Sequence, residues 1–132
     1  LKAAIAQVLS DDEGSCVGIC NEVGTAKIAN PFSAGDVSYV ESPYSYNSIT
    51  DFRDNIRSIR NIWLGSTNKT ANKYSFHTFF ASVGKTSVNN DVENGYVTAI
   101  AAISNMPSPF VKYCCTIWGI DFEDDEDWDV ED

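Results

Sequence analysis

His77 is the only imidazole in the 132-residue chain, so any Ser–His–Asp or Cys–His centre has to be built on it. It stands among large aromatics in the run Tyr74-Ser75-Phe76-His77-Thr78-Phe79-Phe80, and no Gly-x-Ser-x-Gly elbow occurs in the sequence. A packed or surface histidine is therefore the expectation. The eight glycines are scattered and form no phosphate-cradling loop. Asp11-Asp12-Glu13 reads as a helix-ending loop, and Asp91 and Glu93 as first-turn acids of a helix. Neither set reads as a general acid–base pair. These residues predict a non-enzymatic protein with no catalytic residue, no resident cofactor and no metal centre.

Two charged features point to binding instead. Arg53, Arg57 and Arg60 recur at i, i+4 and i+7, which puts them on one face of a helix, and Lys69 and Lys73 follow nearby. Such a stripe is either a solvated helix face, with Asp51 and Asp54 beside it, or a surface for phosphates, anionic lipid head groups or an acidic segment. An acidic segment is present in the same chain. Residues 121–132 read DFEDDEDWDVED and hold nine of the 19 acids, so they account for most of the net charge of −10. Without them the body has 10 acids against 9 bases. Asp124, Asp125, Glu126, Asp127 and Asp129, with Trp128 and Val130 between them, could dock on a basic helix face. The face could belong to the same molecule or to a second copy in a homo-oligomer. Loose binding of divalent cations is the other use of such a strip, but the glycine and the later bidentate Glu of a calcium loop are missing. The negative balance disfavours nucleic acid as a partner.

Four cysteines, Cys16, Cys20, Cys114 and Cys115, are spaced C-x3-C and C-C. That spacing and one histidine do not make a zinc site. Vicinal cysteines seldom bridge to each other, so two disulfides joining the first pair to the second are expected. Each would close a loop of roughly a hundred residues and stabilise by about 2–4 kcal/mol. The alternative is four buried thiols in a reducing compartment. Asn68-Lys69-Thr70 is a glycosylation sequon in a polar loop. A start at Leu1, with no signal-peptide h-region, reads as a mature product or a trimmed piece.

The elements that must position these residues read as follows. Residues 1–9 favour a short helix, and 25–29 and 36–41 favour strands. Residues 42–47, Ser-Pro-Tyr-Ser-Tyr-Asn, form a loop. Phe52, Ile56, Ile59 and Trp63 recur at helical spacing behind Thr50 as N-cap, and Gly65 supplies the stop, so 51–64 is a helix. Residues 73–83 alternate as a strand. A second helix starts at Asn89-Asn90-Asp91 and carries Val92, Tyr96, Ile100 and Ile103. Residues 110–122 read as a closing strand. The predicted fold class is α+β: a two-layer sandwich of a mostly antiparallel sheet with two main helices in a split strand–helix–strand order. The single domain spans 1–120, with the acidic C-terminal tail at 121–132.

The run from Ser48-Ile49-Thr50-Asp51 to Ile62-Trp63, then Tyr74 to Val83, the Asn89-Asn90-Asp91 helix start and the closing Trp118-Gly119-Ile120 resembles fungal killer toxins and related necrosis-inducing secreted effectors. The resemblance covers about residues 48–122. It implies a secreted, disulfide-stapled α/β sandwich acting on competing or host cells, with a target-cell surface, a membrane protein or anionic lipid as partner. A second stretch, Tyr46 to Ile59, is similar to the calcium-binding strand of βγ-crystallins. Arg57 stands there where that motif carries its first Ser, and the helical signals over the same residues outnumber it. The function expected is a secreted non-enzymatic toxin or effector. The alternative is a binding or assembly protein whose tail docks on a basic face or binds divalent cations.

Overall fold

A computed structural model describes residues 16–114, with side chains from residue 18 on. Every regular element among them is helical. Six α-helices follow in order: α1 (Cys16–Asn21), α2 (Asn30–Ala34), α3 (Ser48–Leu64), α4 (Phe76–Ser82), α5 (Thr86–Ser104) and α6 (Phe110–Cys114). A π-helical stretch, Glu22–Ala29, joins α1 to α2, and a single 3-10 turn, Val37–Tyr39, follows α2. The α+β sandwich is thus overturned: no strand or sheet forms among the described residues.

Each misread segment has a local cause. Residues 25–29 belong to the π-helical stretch. Pro31 has no N–H to give in a helix and its ring crowds the preceding turn. The wider π turn just before it, in which Asn30 N–H reaches back to the Thr25 carbonyl, carries the chain into α2 without a break. Gly35 then ends the run at φ 61°, its N–H on the Pro31 carbonyl at 2.9 Å. In the 36–41 segment the Asp36 carboxylate accepts from Ser38 N–H at 2.8 Å and caps the 3-10 turn.

The 73–83 segment alternates aromatics at every second position, but a spacing of two is also half a spacing of four. Ser75 and Thr78 close a capping box: Ser75 Oγ accepts Thr78 N–H at 3.2 Å, and Ser75 N–H donates to Thr78 Oγ1 at 3.0 Å. That starts α4, and Phe76 and Phe80 fall one turn apart. Both rings stack near-parallel on Trp63, with centroids 5.8 and 5.3 Å away. In the 110–114 segment Phe110, Val111 and Cys114 are all buried on one helical turn. Residues 115–122, the rest of the expected closing strand, lie outside the described residues, as do the short helix at 1–9 and the tail.

The helix expected over 51–64 forms over Ser48–Leu64, one turn earlier. Asp51 sits in its first turn, and Gly65 closes it at φ 62°. A side chain there would press on Asn72 and Ser75, each 3.3 Å from the added carbon, so both the turn and the close approach call for glycine. The second helix begins at Thr86, with Asn89 inside it and buried rather than capping it. Helices α3 and α5 pack together around Phe52, Ile56 and Ile103, and the core continues through Val23, Val40, Phe110, Val111 and Cys114. Phe52 is fully buried and meets the edge of the Phe110 ring at 5.3 Å.

Candidate functional site

The connection between the 3-10 turn and α3, residues 41–47, is tied down at its base and exposed at its tip. Lys27, from the π-helical stretch, bridges the Glu22 and Glu41 carboxylates at 3.0 and 3.1 Å with its own side chain largely covered. Burial pulls its pKa down, but the hydrogen bonds and charges of Glu22 and Glu41 outweigh that and hold it above 10.5. The buried Ser48 hydroxyl donates to the Glu41 carbonyl. Ser42 Oγ donates to Asp51 Oδ2 at 2.6 Å, fixing the loop to the first turn of α3.

Between these anchors two non-glycine residues take left-handed backbone: Ser42 at φ 55° and Tyr46 at φ 57°. For a bulky side chain this conformation is a true outlier, costing about 1–2 kcal/mol. It persists only where surrounding contacts over-determine it, and such strain concentrates at functional sites. What the loop displays is tyrosine. Tyr44 is 90% exposed and Tyr46 48% exposed, and Tyr39 just before the loop is 58% exposed. Sequence reasoning recognises 42–47 as a loop but misses this site. The signal available was two tyrosines in a Pro/Ser/Asn-rich turn with no apolar partner in register.

The loop does not form a hydrolytic centre with the only imidazole. His77 lies on α4, against the Trp63 end of α3, whereas Ser42 is bound to Asp51 at the other end. Asp51 and Trp63 stand twelve positions apart on α3, about 18 Å along the axis. The His77 carbonyl accepts from Asn89 Nδ2 at 3.0 Å, and its Nδ1 is buried with no hydrogen-bond partner among the described residues. Among the described residues no three His, Cys, Asp or Glu side chains come together to hold a metal ion. No helix among them is long and apolar enough to cross a membrane.

Two of the three arginines of the expected stripe are paired with acids within the chain. Arg60 makes a two-pronged pair with Glu93 of α5, Nε to Oε2 at 3.0 Å and Nη2 to Oε1 at 2.9 Å, and its guanidinium lies 4.9 Å over the Tyr96 ring. The hydrogen bonds to Glu93 raise its pKa further. Arg57 pairs with Asp54 on the outer face of α3, and that bond raises its pKa likewise. Arg53 is half-buried with its Nε covered. Lys73 stands 5.2 Å over the Tyr74 ring, and Lys69 and Asn68 are exposed in the α3–α4 connection. The acidic residues Asp124, Asp125, Glu126, Asp127 and Asp129 lie outside the described residues.

The cysteines do not form the expected staple. Cys20 is an exposed thiol, and Cys114 is a buried thiol whose Sγ donates to the Val111 carbonyl at 3.9 Å. Two bridges would need all four cysteines. Cys115 and the side chain of Cys16 lie outside the described residues.

These features define a helical protein with a tied, tyrosine-bearing loop. Residues 2–124 match the imelysin family of the peptidase M75 class, so nearly the whole chain is covered, and the chain belongs to the imelysin family. No curated protein matches it, and no solved structure does. The membership, and the helices that stand in place of every expected strand among the described residues, overturn the resemblance to killer toxins and necrosis-inducing effectors. The reading as a disulfide-stapled toxin falls with them. That resemblance rested on residues 48–122, where helical and strand patterns share the same aromatic spacing.

Proposed function

We propose that this chain is a binding module of the imelysin family that takes an extended polypeptide on its 41–47 loop without hydrolysing it. The carrying observation is the strained loop, locked by Ser42–Asp51, Ser48–Glu41 and the Lys27 bridge, which holds Tyr44 almost wholly in solvent. A pre-set loop loses little freedom on binding, and tyrosine supplies contact area and a hydroxyl at low conformational cost. The peptidase name of the family supports polypeptide as the ligand class. The separation of His77 from the Ser42–Asp51 pair supports binding without cleavage.

The test uses a dye-labelled, reduced and alkylated polypeptide as probe. Anisotropy should report binding, and Tyr44→Ala should weaken it about 5- to 10-fold, or about 1–1.4 kcal/mol. The probe should stay intact by mass spectrometry. Undiminished binding by Tyr44→Ala refutes the loop as the site. Cleavage of the probe that is lost in His77→Ala refutes the non-hydrolytic reading.

A further inference from the structure

Helix α4 turns one pair of apolar side chains inward and leaves another outside. Phe76 and Phe80 stack on Trp63, while Phe79 and the C-capping Val83, one turn apart, are each about half exposed. Tyr74, just before the helix, is 83% exposed, and Lys73 lies 5.2 Å over its ring. Lys85 follows the helix after Gly84, and Lys69 stands in the α3–α4 connection; all three lysines are exposed. No acid occurs between Asp54 and Asp91, a stretch that holds five bases. Two of these, Arg57 and Arg60, are paired with Asp54 and Glu93. Lys69, Lys73 and Lys85 enter no ion pair with the described residues. The outward apolar side chains are thus bracketed by cations along the chain, and Tyr74, Phe79, Val83 and Lys85 are no part of the arginine stripe. The negative balance of the chain arises elsewhere: nine of its 19 acids lie in 121–132 and three in 11–13. Charges are screened over about 8 Å at physiological salt, so the local cations decide what this face attracts.

We propose that the outer face of α4 docks the chain on an anionic lipid surface, with Tyr74, Phe79 and Val83 as anchors and Lys69, Lys73 and Lys85 as their cationic rim. Single exposed apolar residues are ordinary, but aromatic rings set among lysines with no acid between them match the boundary of a bilayer. The rings enter the layer between head groups and acyl chains. The lysine stems lie along that layer while their ammonium groups stay at the phosphates. An extended acidic polypeptide would meet the lysines but give Phe79 and Val83 less to enter. The inference is independent of ligand binding by the 41–47 loop, which is fastened at the opposite end of α3 from Trp63.

The experiment floats the full 132-residue chain with vesicles of phosphatidylcholine containing one part in three of phosphatidylglycerol, and with vesicles of phosphatidylcholine alone. The expected result is binding to the first, little or none to the second, and release as salt is raised. A lysine near an anionic surface strengthens binding about fivefold, so Lys69→Gln, Lys73→Gln and Lys85→Gln together should weaken it on the order of 100-fold. Phe79→Ala should weaken it about 5- to 10-fold and leave the salt dependence unchanged. The triple lysine variant should keep the unfolding midpoint of the parent chain, because its substituted side chains are exposed and in no ion pair. Equal binding to both kinds of vesicle, binding that survives the triple substitution, or undiminished binding by Phe79→Ala overturns the proposal. A chain that floats with neither vesicle overturns it as well, and lysine-dependent binding of labelled polyglutamate in its place would assign the face to an acidic polypeptide.

Discussion

Cutting Glu93 back to alanine removes the carboxylate that holds Arg60 by two hydrogen bonds across the α3–α5 interface. The Arg60 side chain is only 16% exposed, so the guanidinium left behind is largely covered and has lost its partner. A hydrogen bond to a charged group contributes about 1.5–3 kcal/mol when buried. Glu93 is 46% exposed, so solvent screens the pair and the lower part of that range applies. We expect Glu93→Ala to cost about 1–2 kcal/mol, which moves a urea midpoint down by about 0.5–1.5 M. A double-mutant cycle with Arg60→Met should return a coupling near 1 kcal/mol. Arg60→Lys should recover little of it, because an ammonium cannot reproduce the planar fork or lie on the Tyr96 ring in the same way. The internal control is Arg57–Asp54, an i,i+3 pair on the exposed face of the same helix, whose coupling should be indistinguishable from zero. A Glu93–Arg60 coupling below about 0.3 kcal/mol, or one matched by Arg57–Asp54, refutes the claim that this pair fastens α5 to α3.

Tyr46→Gly relieves about 1–2 kcal/mol of left-handed backbone strain and gives back about 0.5–1 kcal/mol in chain entropy. It should therefore unfold no earlier than the parent chain, whereas Tyr44→Gly, in ordinary backbone, should lose about 0.5–1 kcal/mol. A less stable Tyr46→Gly chain in thermal unfolding contradicts the strain argument. The pKa of Lys27 is raised above 10.5 in the folded chain, so its bridge contributes fully below pH 10.5 and is lost as pH rises through the folded value. The stability gap between the parent chain and Lys27→Met should be flat from neutral pH to that point and then shrink; a gap that widens in alkali is the opposite sign. A thiol reagent should label exposed Cys20 in the native chain and buried Cys114 only after denaturant is added, as mapped by peptide mass spectrometry. Equal native rates would contradict their placement.

The legible part of the fold is α3. Its apolar residues keep a clean helical period, and both its acidic first turn and its glycine stop are local signals. The second main helix is legible as well, from Asn89 on in α5; the remaining elements turned on contacts that no local window contains. Whether Phe76 and Phe80 belong to a strand or a helix is decided by Trp63, which receives both rings only if they lie one turn apart. The Ser75–Thr78 capping box agrees with that choice, but Ser and Thr are also at home in strands. The arginine stripe is visible as a period, yet the partner of its last member is not. Glu93, 33 residues away in the chain from Arg60, neutralises it, and sequence distance hides such a partner. The left-handed conformation of Tyr46 has no compositional sign at all, because glycine or asparagine is the residue that normally announces it.

α3 also explains how a strained loop can stand beside an ordinary core. Its three sections do different work. The first turn holds the 41–47 loop through Asp51 and Ser48. The middle buries Phe52 and Ile56 and sends Arg60 across to α5. The last turn offers Trp63 to the rings of α4. The anchors of the loop therefore rest on a helix fixed independently at two further points. Loosening Asp51 should release the loop while leaving the α3–α5 pair and the aromatic stack in place. Asp51→Ala should thus weaken binding of the extended probe far more than it lowers the unfolding midpoint. A proportional loss of both would mean that the loop is not held by its own anchors but by the stability of the whole fold.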